Sequence, residues 1–124
     1  MNLRRVVVTG LGAITPLGND VNSYWQGLVN GVSGANNITK FDASKFKTQF
    51  ACEVKDFDPN NYFDRKEVRK YDLYTHYGII ASDEAIKDAG IDSDSIDKSR
   101  VGVIWASGIG GLDTLIFEVS GYLK

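Results

Sequence analysis

Two short β-branched runs, each ending in glycine, constrain this chain more than any other feature. Val6-Val7-Val8-Thr9 runs into Gly10, and Val101-Gly102-Val103-Ile104-Trp105-Ala106 runs into Ser107-Gly108-Ile109-Gly110-Gly111. Branching at Cβ favours a pleated backbone and glycine interrupts it, so each run reads as a strand entering a tight loop. A helical pattern follows each loop. After the first, Asn19-Asp20 can cap a helix on which Val21, Tyr24, Trp25, Leu28 and Val29 share one face, with Gly31 at its end. After the second, Leu112, Leu115, Ile116, Val119 and Leu123 recur at amphipathic spacing.

Between these two units, Thr48 to Val54 reads as a further strand and Ser33 to Lys47 as a polar, turn-rich stretch. Asp64 can cap the basic segment Arg65 to Lys70, which leads into a longer helix from about Tyr71 to Ala89, stopped at Gly90-Ile91. Tyr74, Tyr77, Gly78, Ala81 and Ala85 share one face of that helix, and Ile79, Ile80 and Ile86 make it apolar on more than one side. Strand, loop, helix repeated in this order is an α/β pattern. At 124 residues the chain is at most one domain, spanning 1–124 with no internal boundary. The apolar periodicity of the last helix has no cap or stop signal, which suggests a portion of a larger fold.

Charge and cysteine content narrow the function classes. A net charge of -2 gives no whole-chain basic field for nucleic acid, and no apolar run approaches the roughly 20 residues of a membrane span. The opening apolar run is too short for a signal-peptide core, and one cysteine gives no disulfide framework, so a cytoplasmic setting is expected. The glycine loops invite a phosphate reading, but neither has the dinucleotide spacing and no Gly-Lys-Ser/Thr triplet occurs. Tight turning and close packing explain most of these glycines. No cofactor is expected, and no ligand cluster has metal spacing.

The chain has one Cys and one His. Alternation places Cys52 with Phe50 and Val54 on one strand face, where a small cysteine reads as inert core. His76, between Thr75 and Tyr77 on the apolar helix, reads as a satisfied structural histidine. The segment Arg65-Lys66-Glu67-Val68-Arg69-Lys70 is different. On a helix Lys66 neighbours Arg69 and Lys70, a local positive patch that is either a solvated face or a dock for an acidic protein.

Four stretches in order resemble the start of a β-ketoacyl-acyl-carrier-protein synthase, most like type II. They are Val6-Val-Val-Thr-Gly-Leu-Gly-Ala-Ile-Thr-Pro-Leu-Gly18, Phe50-Ala-Cys-Glu-Val-Lys-Asp-Phe-Asp-Pro59, Arg65-Lys-Glu-Val-Arg-Lys-Tyr-Asp72 and Ser107-Gly-Ile-Gly-Gly111. The resemblance covers essentially Leu3 to Leu123. It implies an α/β fold that is the N-terminal part of a layered thiolase-like architecture, incomplete in this chain, and a homodimer at full length. It implies decarboxylative condensation of malonyl- with acyl-carrier protein by a nucleophilic Cys assisted by two His. None of those three maps here: Cys52 does not match the nucleophile motif, and His76 matches neither histidine. No catalytic residue is therefore assigned, and the chain alone is expected to be inactive. By position in the matched motifs, Lys66, Arg69 and Lys70 are expected to dock acyl carrier protein. Ile109 is expected to guard the acyl pocket. The alternatives are a portion of a polyketide ketosynthase, a non-catalytic chain-length factor, or a stand-alone α/β binding module.

Overall fold

The structure, a computed structural model, describes residues 3–123; Met1 and Asn2, where the reading of the N-terminus begins, lie outside them. In chain order come helix α1 (Val21–Val29), strands β1 (Asn36–Asn37) and β2 (Phe50–Ala51), and helices α2 (Arg65–Lys70), α3 (Leu73–Ala89) and α4 (Leu112–Tyr122). Single 3-10 turns occupy Pro59–Asn61 and Lys98–Arg100.

Helix ends follow the capping residues. Asp20 accepts the Ser23 amide at 2.8 Å and starts α1; Gly31, with φ 63°, follows its last turn. Gly90 ends α3 in the left-handed conformation, φ 64° and ψ 25°, and the Ile91 N–H donates to the Ile86 carbonyl at 3.3 Å. The long helix expected from about Tyr71 starts instead at Leu73. Tyr71 is extended, with ψ 142°, and separates α2 from α3.

Helix α3 organises the rest, because small residues let backbone approach it. A Cβ on Gly10 would stand 2.3 Å from the Ala85 carbonyl oxygen, so residues 10–13 lie directly on the helix. Its acidic side chains complete the contact. Glu84 accepts the Ala13 amide through one oxygen and the Val21 amide through the other, both at 2.9 Å, and Asp88 accepts the Leu11 amide at 2.9 Å. The Leu11 and Ala13 amides of this loop are thus taken by carboxylates, which would repel a phosphate there.

The strands depart most from expectation. Residues 5–9 and 101–106 form no strand, and their apolar side chains face outward: Val6 is 89% exposed and Ile104 97%. A strand needs neighbours for its N–H and C=O groups, and an apolar run needs a covering layer. Neither is supplied by the described residues. Of the strand expected at Thr48 to Val54, only Phe50–Ala51 pairs, antiparallel to Asn36–Asn37, which polar composition had concealed. The bond from the Ile38 amide to the Gln49 carbonyl, 3.0 Å, extends this ladder. Helix α4 forms over Leu112–Tyr122 but buries none of its residues. The observed α/β content is therefore helices with one small ladder, and the layered sheet of the expected fold is not formed among the described residues.

Candidate functional site

Helix α2 is short, six residues, and is held by its surroundings more than by propensity. Asp64 caps it, one carboxylate oxygen accepting the Lys66 and Glu67 amides at 2.8 and 2.9 Å. Glu67 in the first turn and Arg69 and Lys70 in the last both suit the helix dipole. Aromatic rings fasten both ends to α3. Phe63, just before the cap, and Tyr71, at the C-terminal end, both pack on His76, with ring centroids 4.9 and 6.4 Å away.

This frame leaves the basic side chains outward. Lys66, Arg69 and Lys70 are exposed, and none is ion-paired among the described residues. The Lys70 ammonium stands 5.2 Å from the centre of the Tyr71 ring, which restrains it without neutralising it. Three neighbouring cations on one helix face, with Val68 half-buried beneath, make a surface suited to an acidic partner.

The second glycine loop lies beside the start of α3. A Cβ on Gly110 would meet the Tyr74 ring at 2.5 Å, so the backbone passes flush against that ring. Gly111 adopts φ 65° and begins α4. The Ser107 hydroxyl donates to the Ile109 carbonyl at 3.1 Å, tightening the turn, and Ile109 is left 78% exposed. It lines a cleft of about 210 Å³ with Asp72, Tyr77 and Lys40. Burial pushes the Tyr77 phenol up from its usual value, in keeping with its edge-on packing against Phe57, 4.8 Å between centroids.

The lone Cys and His are not brought together as a dyad. Cys52 is exposed, which corrects its reading as core: it lies one residue past the two-residue strand β2, in a two-stranded ladder too small to cover it. His76 is 2% exposed, and neither ring nitrogen has a hydrogen-bond partner among the described residues, which corrects its reading as a satisfied histidine. It serves as a flat ring between Phe63 and Tyr71. Sequence reasoning missed Glu84 and Asp88, whose i, i+4 spacing marks one helix face, and Asp72 with Thr114, treated below.

Known proteins share this chain's pattern. It is 50% identical over 115 residues to 3-oxoacyl-acyl-carrier-protein synthase 2 of Vibrio harveyi, which covers 93% of this chain and 28% of that protein. The Synechocystis protein of the same name is 48% identical over 112 residues, covering 90% and 27%. The chain thus spans about a quarter of the length of the curated relatives it matches. Among solved structures, the ketosynthase in a complex described as a type II PKS acyl-carrier protein with its ketosynthase bound to the hexaketide superposes with a TM-score of 0.68 at 32% identity. That match covers 92% of this chain and 29% of the other. The ishigamide ketosynthase/chain length factor gives 0.63 at 36% identity, covering 80% and 23%. A family model described as the N-terminal domain of β-ketoacyl synthase matches residues 3–121, and the chain belongs to that family.

Proposed function

We propose that this chain is the N-terminal part of an elongating β-ketoacyl-acyl-carrier-protein synthase. In the full-length protein it would supply the docking helix for acyl carrier protein and part of the gate to the acyl pocket. The observation that carries this reading is the cap-fixed, ring-clamped helix α2, which presents Lys66, Arg69 and Lys70 unpaired on one exposed face. The names of the curated relatives support acyl-carrier-protein chemistry, and one structural neighbour is a ketosynthase in complex with its carrier.

The reaction proposed is chain extension by two carbons. The acyl group passes from its carrier to an enzyme thiolate with release of the carrier thiol. Malonyl-carrier protein then loses carbon dioxide, its carbanion forms the new carbon–carbon bond, and the thiolate leaves. The groups that do this chemistry are not assigned within the chain, and Cys52 and His76 have no part in it. The layered thiolase-like architecture, a homodimer and a cytoplasmic setting belong to the same proposal. No helix among the described residues is long and apolar enough to cross a membrane.

Polyketide ketosynthases and chain-length factors appear among the structural neighbours, but at 32–36% identity against 48–50% for the fatty acid enzymes, which favours the latter. The test is condensation by the full-length protein with acyl- and malonyl-carrier protein. Product longer by two carbons, with carbon dioxide released, is expected; carrier proteins returned unchanged would overturn the reading.

A further inference from the structure

Asp72 occupies the N-cap position of α3, where an aspartate ordinarily accepts from the helix's own free amides. It makes no such bond. One carboxylate oxygen accepts instead from the hydroxyl of Thr114, in the first turn of α4. The other faces Gly111, where an added Cβ would lie 2.5 Å away in a residue already at φ 65°. Gly111 thus has two independent reasons to lack a side chain, the left-handed backbone and the carboxylate pressed against it. Together with Gly110 on the Tyr74 ring, these contacts seat the Gly110–Gly111 end of the loop on the start of α3. Tyr71, immediately before Asp72, is the C-terminal cap of α2. A single residue, Tyr71, therefore separates the basic helix from the carboxylate that meets the loop presenting Ile109.

We propose that Asp72 is a positioning residue: through Thr114 and Gly111 it fixes the 107–111 loop on α3 and so sets where Ile109 stands in the acyl path. This rests on the reading of Ile109 as the pocket gate. A hydrogen bond to a carboxylate is directional and stronger than one between neutral groups, so its loss releases the loop without unfolding either helix. An ordinary capping aspartate would behave differently, because its loss would weaken α3 and affect every substrate alike.

The experiment uses full-length protein carrying Asp72→Ala, Thr114→Val or Thr114→Ser, with Ile109→Ala in parallel. Amide hydrogen exchange over 107–111 is read alongside kcat/KM for short and long acyl primers. Asp72→Ala and Thr114→Val should each speed exchange in the loop and flatten primer-length discrimination about tenfold, the low end of what one hydrogen bond to a charged group is worth. Thr114→Ser keeps the hydroxyl and should stay close to wild type in both readouts. Unchanged loop exchange in Asp72→Ala overturns the proposal, as does a uniform loss of rate that follows the melting temperature. Discrimination altered by Ile109→Ala but not by Asp72→Ala overturns it while leaving the gate standing. If Ile109→Ala leaves discrimination intact, the gate reading fails and takes the selectivity role of Asp72 with it.

Discussion

A Cβ placed on Gly12 would lie 1.8 Å from the carbonyl oxygen of Ala81, so the first loop and helix α3 meet backbone to backbone. No rotamer change can relieve such a contact, because the atoms the Cβ would meet, the Ala81 carbonyl and the Ala85 nitrogen, are all backbone. Gly12→Ala in the full-length protein should therefore force the loop off α3 and cost about 3 kcal/mol or more, at or beyond the usual range for overpacking. The denaturation midpoint reads it. A midpoint within error of wild type would show that the loop yields freely.

The cap of α1 should titrate. The Ser23 amide, and next its hydroxyl, bind the Asp20 carboxylate and hold its pKa below the ordinary value. A depressed carboxylate contributes stability above its unfolded pKa and loses it as pH falls through the lower, folded one. The Ser23 amide resonance should accordingly shift below the usual carboxylate range, and α1 should fray in that window. Asp20→Asn keeps the cap and should abolish the titration. A shift at the ordinary aspartate pKa would contradict the bond.

What was legible in the sequence was mostly local. Asp20, Asp64 and Gly90 marked helix ends because each acts within its own turn. The spacing of Lys66, Arg69 and Lys70 foretold their common exposed face for the same reason. Strands were misjudged because pairing is not local: Val6 to Val8 have the right residue type, but no neighbouring strand is supplied among the described residues. Asn36–Asn37 was missed because its place in a ladder comes from its partner, Phe50–Ala51, and not from its composition. The bond between Asp72 and Thr114 spans two helices that no periodicity relates.

Ile109 should act as a gate in the full-length protein. Ile109→Phe should obstruct long acyl primers while sparing short ones, since added bulk in a filled pocket costs about 1–3 kcal/mol. Ile109→Ala should relax the discrimination. Condensation rates across a primer series, with melting temperatures for each variant, decide the matter. A uniform loss that tracks stability would make Ile109 a packing residue.

The 124-residue chain by itself should neither condense substrates nor behave as a clean monomer. Val6 to Val8 and Val103 to Trp105 expose a large apolar area, which drives association. Sedimentation should show concentration-dependent species, and incubation with acyl- and malonyl-carrier protein should give no extended product. A sharp monomer at all concentrations, or turnover lost on Cys52→Ala, would contradict this.

Docking through α2 is tested most directly by the affinity of the full-length protein for acyl carrier protein across a salt series, wild type against the Lys66→Glu, Lys70→Glu double variant. Two reversed exposed charges at about 1 kcal/mol each should weaken binding roughly tenfold or more at low ionic strength. The difference should shrink as salt rises, because charges are screened over about 10 Å at 0.1 M. Equal affinities of the two proteins at low salt would contradict the docking role and leave the basic face of α2 a solvated surface.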